Sequence, residues 1–236
     1  MTTYAESAEL YDALYRWKDY AGEVERLRAL IAVHTQRPVE TLLDVACGTG
    51  AHLVHLTPHY ACEGLDLSAE LLDAARAKLP HLRLHQADMR TFDLGRTFDV
   101  VTCLFSAIGY VQTVEGLRQA IASMARHVAP GGVLVVEPWF LPGEFKPGHM
   151  SMLTVDDPER KIVRANTSQV DGNLSVLDFH YLVVMPQGVE HFTEKHLLGM
   201  FSDSEYRAVL HDAGLSVTRD EHGLDGRGLY IGLKPL

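Results

Sequence analysis

Between residues 42 and 137, short apolar runs alternate with amphipathic helical patterns, and this alternation limits the possible folds more than any other feature. Five runs have the length and apolar content of buried strands. They are Leu42–Ala46, Cys62–Leu67, Leu82–His85, Phe98–Leu104 and Gly132–Glu137. Helical patterns begin near Gly50 and Ser68 and cover residues 114–128, and the Pro-Gly-Gly sequence at residues 130–132 predicts a turn. The alternation predicts a parallel, doubly wound sheet, in which ligands collect at the carboxyl ends of the strands.

The pattern changes after Pro138. Through residues 139–199, Gly and Asp residues mark turns, and the runs between them alternate apolar and polar residues as antiparallel strands do. These runs are Lys161–Val170, Leu174–Val184 and Val189–Leu198. A helix over residues 203–214 and two last strands, Ser216–Asp220 and Gly228–Leu233, complete the sheet. We therefore predict an α/β fold with a mostly parallel seven-stranded sheet and an antiparallel β insert after the fifth strand.

The whole chain, residues 1–236, is predicted to form one domain. Two helical patterns at its start, over residues 5–15 and 19–34, predict an N-terminal helical cap at residues 1–36. The antiparallel insert occupies residues 139–199 and is expected to lie over the carboxyl ends of the strands. Both segments would then cover the active site that the sheet provides.

The composition excludes several classes of protein. Of the 236 residues, 47% are hydrophobic, which excludes a disordered chain, and the net charge of −10 argues against a nucleic-acid or anionic-membrane partner. No apolar run reaches the length of about 18 residues that a membrane span requires, and no signal peptide is visible. Three scattered cysteines (Cys47, Cys62 and Cys103) predict neither a disulfide framework nor a zinc site. We expect a cytoplasmic protein, whose oligomeric state the sequence leaves open.

A glycine-containing loop directly follows the first strand. Residues 44–50 read Asp-Val-Ala-Cys-Gly-Thr-Gly, which places Gly48 and Gly50 where a ligand could approach the backbone closely. A dinucleotide-binding fingerprint would need a third glycine, and Leu53 occupies that position. The glycine pair by itself is also what a plain tight turn requires. Other strand ends must therefore decide between these interpretations.

Acidic residues follow the next two strands. Asp66 ends the second strand, where its carboxylate can accept hydrogen bonds from both hydroxyls of a ribose. Asp88 follows the third strand and can accept from an exocyclic amine, while Met89 offers a backbone N–H and an apolar face to adenine. Together with the glycine loop, these strand ends describe an adenosine pocket without a diphosphate cradle. Such a pocket fits S-adenosyl-methionine (SAM) better than NAD.

These residues resemble those of the class I SAM-dependent methyltransferases. A more specific resemblance, to the TDP-3-amino-sugar N,N-dimethyltransferases of the desosamine and mycaminose type, runs nearly end to end. It rests on Tyr11-Asp12, Lys18-Asp19-Tyr20, residues 42–50, Asp88-Met89-Arg90, Phe105-Ser106 with Gly109, Glu137-Pro138-Trp139 and Gly226-Arg227-Gly228-Leu229. The resemblance implies methylation of the amino group of a nucleotide-linked sugar, twice, with S-adenosyl-homocysteine as the second product.

The resemblance also implies which residues hold the cofactor. Tyr20 and Lys18 would face the methionine carboxylate, Asp66 the ribose, and Asp88 with Met89 the adenine. The implied cofactor-binding residues are Tyr11, Lys18, Tyr20, Ala46, Gly48, Gly50, Asp66, Leu67, Asp88, Met89 and Leu104.

For the acceptor, the resemblance implies that Arg227 pairs with the nucleotide diphosphate, which a guanidinium fork suits well. Trp139 would bind the substrate, although a role in the core of the insert is the alternative. Asp225 stands where the resemblance leads us to expect serine, and a carboxylate there would oppose a diphosphate. A methyltransferase for another small amine or a hydroxyl is therefore the alternative function. A non-catalytic SAM-binding protein and an NAD(P)-linked oxidoreductase are the other candidates.

Methyl transfer to an amine requires a neutral nucleophile, because a protonated amine has no lone pair. The site must therefore accept a proton or bind the neutral amine. The candidate catalytic residues are Tyr4, Tyr110 and His180, with His180 as the reserve proton acceptor. Some relatives carry histidine where this chain has Tyr110. The chain contains 13 histidines, but we predict no metal site; the three at residues 52, 55 and 59 are interpreted as a solvated helix face.

Overall fold

The computed structural model describes residues 7–236 and contains two sheets and six α-helices in that range. The α-helices are α1 (Tyr11–Leu14), α2 (Tyr20–His34), α3 (Ala51–Leu56), α4 (Ala69–Lys78), α5 (Val114–Arg126) and α6 (Asp203–Asp212). The strands of the large sheet are β1 (Thr41–Val45), β2 (Ala61–Asp66), β3 (Arg83–Gln86), β4 (Phe98–Cys103), β5 (Val128–Val136), β10 (Ser216–Asp220) and β11 (Leu229–Leu233). Between β5 and α6 the chain forms β6 (Met150–Asp156), β7 (Lys161–Asp171), β8 (Leu174–Met185) and β9 (Gly188–Gly199).

The large sheet has the strand order β10-β11-β5-β4-β1-β2-β3. β11 runs antiparallel to both of its neighbours, and the pairs from β5 to β3 are all parallel. The order reverses between β1 and β4, which is where ligands bind in sheets of this kind. The predicted mostly parallel seven-stranded sheet with an antiparallel insert is confirmed.

Apolar residues cover both faces of this sheet and hold the helices against it. On one face, α5 buries Leu117, Ile121 and Met124 against β4 and β5. On the other, α2 buries Leu27 and Ile31 together with residues of α3. Side-chain oxygens fix where the helices begin, because they accept bonds from backbone N–H groups that lack a partner in the first turn. Such caps are Asp19 for α2, Ser68 for α4, Thr113 for α5 and Ser202 for α6.

The insert is a four-stranded antiparallel sheet, in the order β6-β7-β8-β9. Its inner face buries Ile162, Phe179 and Tyr181 against Leu10 and Leu14 of the N-terminal segment. The sequence analysis predicted three of these strands and missed β6, which is mostly exposed, with Val155 as its one buried residue. The insert is therefore attached to the N-terminal helices as well as to the end of β5.

The structure refines one further prediction about local structure and contradicts another. The helix expected over residues 5–15 is, in the described part, a 3-10 turn at Ala8–Leu10 followed by the single turn of α1. The Pro-Gly-Gly sequence at residues 130–132 lies inside β5 instead of forming a turn before it. β5 continues through these residues because its pairing with β4 contains an irregularity between Phe98 and Val100. Among residues 7–236, no helix is long and apolar enough to span a membrane.

Candidate active site

A cavity of about 830 Å³ opens at the carboxyl edge of the large sheet. Its floor is formed by residues that follow β1 to β5, and its roof by the inner face of the insert. The predicted site residues that line it are Tyr11, Ala46, Gly48, Asp66, Leu67, Asp88, Met89, Leu104, Tyr110, Trp139 and Arg227. Lys18, Tyr20, Gly50 and His180 do not line it, and Tyr4 lies outside the described residues.

The Asp66 carboxylate is held in place from two sides. Oδ2 accepts a hydrogen bond from the backbone N–H of Gly48 at 2.8 Å, and Oδ1 accepts one from the N–H of Ser68 at 2.9 Å. The residue is 8% exposed. Burial raises the pKa of Asp66, and the backbone donors oppose that rise. Asp66 is therefore an oriented acceptor at the end of β2 that keeps lone pairs for a ligand.

The glycine loop leaves room for a ligand directly against the backbone. Gly48 adopts a φ of +56°, and a Cβ built there would meet no protein atom within 4 Å. The cavity therefore reaches the loop itself. Gly50, by contrast, begins α3 with a φ of +76° and packs against Leu79 and Ala75 of α4, so it serves the turn and not the cavity.

The residues after β3 and β4 complete this half of the cavity. Asp88 forms an ion pair with Arg90, with 2.5 Å between Oδ2 and Nη2, and the hydrogen bonds from Arg90 lower the pKa of Asp88. Met89 and Leu104 supply apolar surface beside it. The ionised Asp88 can accept from the amine of an adenine, and the oriented Asp66 can accept from a ribose. The backbone of Gly48 leaves room for an adenosine group to approach closely. The residues present therefore fit SAM.

Lys18 and Tyr20 do not line the cavity, and their predicted contact with the methionine carboxylate stays a prediction. The Tyr20 ring packs edge-on against that of His52 with 4.9 Å between centroids. The ammonium group of Lys18 pairs with Glu23 of α2, and His52 contacts the other oxygen of the same carboxylate at 2.8 Å. Burial alone would raise the pKa of Glu23, but the hydrogen bonds from His52 and Lys18 outweigh it and lower that pKa. Glu23 is thus the ion-pair partner of the Lys18 ammonium group in this structure, where the sequence analysis expected the methionine carboxylate of SAM. The interpretation of His52 as solvated was wrong, since it is 7% exposed.

His180 does not line the cavity, whereas His196 of β9 does, as does His149. His180 is exposed, and its ring stacks on His191 with 5.7 Å between centroids. Its neighbours Phe179 and Tyr181 point inward, so strand alternation turns His180 outward. His196 accepts or donates a hydrogen bond at Nδ1 to the Tyr110 hydroxyl, with 2.6 Å between the atoms. The placement removes the geometric basis for His180 as a proton acceptor.

Arg227 reaches the cavity from the loop before β11. Its guanidinium carbon lies 5.3 Å from the centre of the Trp139 ring, and Nη2 lies 2.6 Å from the Asp225 carboxylate. Trp139 also donates from Nε1 to the Ser175 hydroxyl of β8 at 2.7 Å. Trp139 therefore both lines the cavity and packs against the insert, which joins the two roles that we considered for it.

Glu137, at the end of β5, is a buried acid beneath this cation. Its Oε2 accepts the N–H of Phe105, and its buried Oε1 has no hydrogen-bond partner among the described residues. Burial and the charge of Asp225 raise the pKa of Glu137 to about 8, against the opposing effect of Arg227. A protonated Glu137 can donate to Asp225, which in turn faces Arg227. Asp225, which stands where the resemblance led us to expect serine, is thus part of a charge network with Glu137 and Arg227.

Glu137→Gln tests this protonation through stability. Because the pKa rises from its ordinary 4.5 to about 8 on folding, the wild-type protein should lose stability as the pH rises through that window. Glutamine stays neutral and keeps an acceptor for Phe105. We expect the Tm of the wild type to fall by several degrees more than that of the variant between about pH 5 and about pH 8, as measured by thermal denaturation. Parallel curves for the two proteins would contradict this expectation.

The site residues chosen from the sequence leave out three polar residues on the inner face of the insert: Arg164, Glu194 and His196. Of these, the sequence analysis considered only His196, for which it favoured a structural role. Arg164 donates to the Tyr15 hydroxyl at 3.0 Å, and its guanidinium carbon lies 4.8 Å from the centre of the Phe179 ring. The signal that could have found them is strand alternation, since Arg164 shares a face with the buried Ile162. Among residues 7–236, no cluster of three or more His, Cys, Asp or Glu side chains could hold a metal ion.

Comparisons with known proteins agree with this geometry. Residues 42–132 match the family model of a methyltransferase domain. The chain is 44% identical to the dTDP-3-amino-3,4,6-trideoxy-alpha-D-glucopyranose N,N-dimethyltransferase of Streptomyces venezuelae, over 97% of this chain and 98% of that one. It is 40% identical to the dTDP-4-amino-2,3,4,6-tetradeoxy-D-glucose N,N-dimethyltransferase of Saccharopolyspora spinosa, over 97% and 93%.

A solved structure is similar over almost the whole chain. It is that of SAM-bound CalS10, an amino pentose methyltransferase from Micromonospora echinaspora involved in calicheamicin biosynthesis. The TM-score is 0.86, with 40% sequence identity over 95% of this chain and 96% of that one. The similarity therefore includes the insert and the N-terminal helices as well as the large sheet.

Proposed function

Since the chain belongs to the SAM-dependent N,N-dimethyltransferases of nucleotide-linked amino sugars, we propose that it methylates the amino group of a dTDP-linked amino sugar twice. The observation that carries this function is that the Asp66 carboxylate and the Arg227 guanidinium border one and the same cavity. A pocket of about 830 Å³ is near the upper end of the range for small-molecule sites. It offers space for a methyl donor beside a nucleotide-linked acceptor.

SAM, when bound, supplies a methyl group that its positively charged sulfur already activates. The protein therefore has to orient two ligands, exclude water and provide an unprotonated amine. We assign Asp66 to the ribose hydroxyls, Asp88 and Met89 to the adenine, and the backbone of Gly48 to the closest approach. These assignments agree with the placement of the residues in the cavity, and they remain proposals about roles.

An aromatic wall from the N-terminal helices closes the cavity beside these residues. Tyr15 lies with its ring centre 4.7 Å from that of Tyr11 and 5.2 Å from that of Phe105. The hydrogen bond and ring contact from Arg164 hold Tyr15 in position. Aromatic faces attract cations and exclude water, so this wall suits a reaction in which a positive charge moves from sulfur to nitrogen.

Arg227→Ala tests the recognition of the nucleotide diphosphate. A hydrogen bond to a charged group contributes about 1.5–3 kcal/mol, so its loss should raise the KM for the dTDP-sugar about tenfold or more. The Kd for SAM, measured by calorimetry, should not change, since Arg227 is not among the residues assigned to SAM. A variant that retains the wild-type KM would point to an acceptor without a diphosphate.

Asp225→Ser is the matched variant for this test. It replaces the carboxylate that faces Arg227 at 2.6 Å with the residue expected from the family pattern. Removal of this counter-charge frees the guanidinium for an anionic ligand, so the KM for the dTDP-sugar should fall while that of Arg227→Ala rises. Opposite effects of the two variants would separate diphosphate recognition from general disturbance of the loop.

Mass spectrometry of the products tests the proposed function directly. The protein is incubated with SAM and either a dTDP-3-amino- or a dTDP-4-amino-deoxyhexose, because the two relatives named above act on amines at these two positions. Mass gains of one and then two methylene units support transfer to the amine. SAM binding without product from either sugar would favour another small amine or a hydroxyl as acceptor. A cytoplasmic location and the lack of nucleic-acid partners stay predictions.

A further inference from the structure

We propose that Ser106 is a positioning residue: its hydroxyl group fixes the direction of the Arg227 guanidinium and so prepares it for the diphosphate of the acceptor. Ser106 is 1% exposed and is not among the residues that line the cavity, so it acts through Arg227 and not by contact with the ligand. The inference rests on the proposed function, because it assumes that Arg227 binds the acceptor.

The loop that carries Arg227 does little to fix its side chain. The residues on either side are Gly226 and Gly228, with φ values of +95° and +83°, and a Cβ built on Gly226 would meet no protein atom within 4 Å. An arginine side chain has many rotamers, and a ligand that binds only one of them must overcome the loss of the others. Contacts at the far end of the side chain therefore decide where the guanidinium points.

Polar and aromatic groups hold the guanidinium at that far end. Nη1 donates a hydrogen bond to the Ser106 hydroxyl, and Nη2 forms an ion pair with Asp225 at 2.6 Å. The guanidinium carbon lies 5.3 Å from the ring centre of Trp139 and 5.7 Å from that of Phe140. Because arginine carries N–H donors on each of its nitrogens, the guanidinium keeps donors for a ligand while Ser106 holds Nη1.

The Ser106 hydroxyl is itself oriented by the protein. It donates its hydrogen to the Pro138 carbonyl oxygen at 2.7 Å, so it meets Arg227 with its lone pairs. Phe105 and Ser106 have left-handed φ values of +52° and +60°, which residues other than glycine keep only where their surroundings hold them. Glu137 supplies part of that hold, because its Oε2 accepts the Phe105 N–H at 2.5 Å. The strained turn thus serves to bring the hydroxyl to Arg227.

The hydroxyl of Ser106 differs in kind from the carboxylate of Asp225. Asp225 is a counter-charge, so it competes with an anionic ligand for the guanidinium of Arg227. A hydroxyl group carries no net charge, so it holds the guanidinium and leaves its attraction for a diphosphate intact. Ser106 follows β4, Pro138 follows β5 and Arg227 precedes β11, and these strands are neighbours in the large sheet. The order of the strands therefore places the hydroxyl beside the cation that it orients.

Ser106→Ala and Ser106→Gly are a matched pair of variants for calorimetry with dTDP, a ligand that carries the diphosphate but no amine. Both variants lose the hydroxyl group, but only glycine adopts the left-handed backbone without strain. The Kd for dTDP should therefore rise by about tenfold in both, while the alanine variant has the lower Tm. The Kd for SAM should change in neither. A dTDP affinity within about twofold of the wild type in both variants, or a loss only in the less stable one, would overturn the proposal.

Steady-state kinetics and a double variant show whether Ser106 acts through Arg227. In Ser106→Gly the KM for the dTDP-sugar should rise while kcat stays within about twofold of the wild type, because the hydroxyl does not contact the reacting atoms. Added to Arg227→Ala, the same change should not weaken dTDP binding further, since the group that Ser106 orients is gone. Additive losses would assign Ser106 a role that is independent of Arg227 and would contradict the inference.

¹⁵N NMR of the arginine side chains tests the same point without a ligand. A guanidinium that is held at Nη1 rotates slowly, so the exchange between the Nη signals of Arg227 should be slower in the wild type than in Ser106→Gly. Equal exchange rates in the two proteins would refute the positioning role. If the wild type neither binds dTDP nor methylates either sugar, the proposed function fails, and the exchange rates still decide whether Ser106 orients Arg227.

Discussion

Replacement of Asp66 by alanine is expected to weaken the binding of SAM by about a hundredfold or more. The carboxylate is oriented by the N–H groups of Gly48 and Ser68 at 2.8 and 2.9 Å and would accept from two ribose hydroxyls. Hydrogen bonds to a charged group contribute about 1.5–3 kcal/mol each, and two of them account for that factor. Isothermal titration calorimetry measures the change. An affinity within about threefold of the wild type would contradict the assignment of Asp66.

Asp66→Asn separates this function from folding. Because burial raises the pKa of Asp66, the folded protein is less stable with the ionised carboxylate than it would be with a neutral group there. The amide of asparagine can accept only one of the two backbone N–H bonds, and this loss offsets the relief of the buried charge. We therefore expect the asparagine variant to bind SAM poorly and yet to keep a Tm at neutral pH within about 5 °C of the wild type. Asp73→Asn, an exposed residue of α4, is the matched control and should change neither property. A joint loss of Tm and affinity in Asp66→Asn would indicate a structural role.

The adenosine half of the cavity could be predicted from the sequence because it depends on one general rule. Parallel strands bring their carboxyl ends to the same edge, so residues that follow different strands must lie together. Gly48, Asp66 and Asp88 follow β1, β2 and β3, and all three line the cavity. The prediction required only that the position of each strand's carboxyl end be known to within about two residues, and apolar runs define these positions well.

The acceptor half could not be predicted in the same way, because it depends on which face of the insert turns toward the sheet. Alternation along β8 and β9 places His180 and Phe179 on opposite faces, but it does not say which face meets the cavity. The answer comes from the packing of the insert on Leu10 and Leu14, a contact between distant parts of the chain. His180 was therefore chosen where His196 faces the cavity.

Lys18 illustrates a second limit. A lysine in a segment that resembles a cofactor-binding motif indicates a cation near the ligand, but its charge also attracts any nearby carboxylate. Glu23 lies one turn into α2, and the tight turn at Asp19 brings it to the Lys18 ammonium group. The competition between ligand and side-chain partner depends on the geometry of that turn, which the pattern of residue types does not specify.

Gly132→Ala is expected to be the most destabilising single-methyl substitution considered. Gly132 is needed for close packing and not for an unusual backbone angle: a Cβ there would lie 2.4 Å from the Asp99 carbonyl oxygen and 3.0 Å from that of Ala129. The Asp99 oxygen is a backbone atom of the neighbouring strand β4, so β4 and β5 would have to separate locally, and the Ala129 oxygen belongs to β5 itself. Overpacking of this kind costs about 3 kcal/mol, or roughly 6–12 °C in Tm for a chain of this length.

Gly131→Ala is the matched control for this prediction, because the two glycines are adjacent but differ in what they require. Gly131 has a φ of +77°, so alanine is strained there, yet the nearest atom to its Cβ is the flexible end of Leu236. The strain costs about 1–2 kcal/mol, less than the clash at Gly132. Both sites lie toward the amino end of the sheet, away from the cavity, so the folded fraction of each variant should bind SAM as the wild type does. If thermal denaturation ranked Gly131→Ala as the more damaging change, the glycine pair would act as the turn that the sequence suggested.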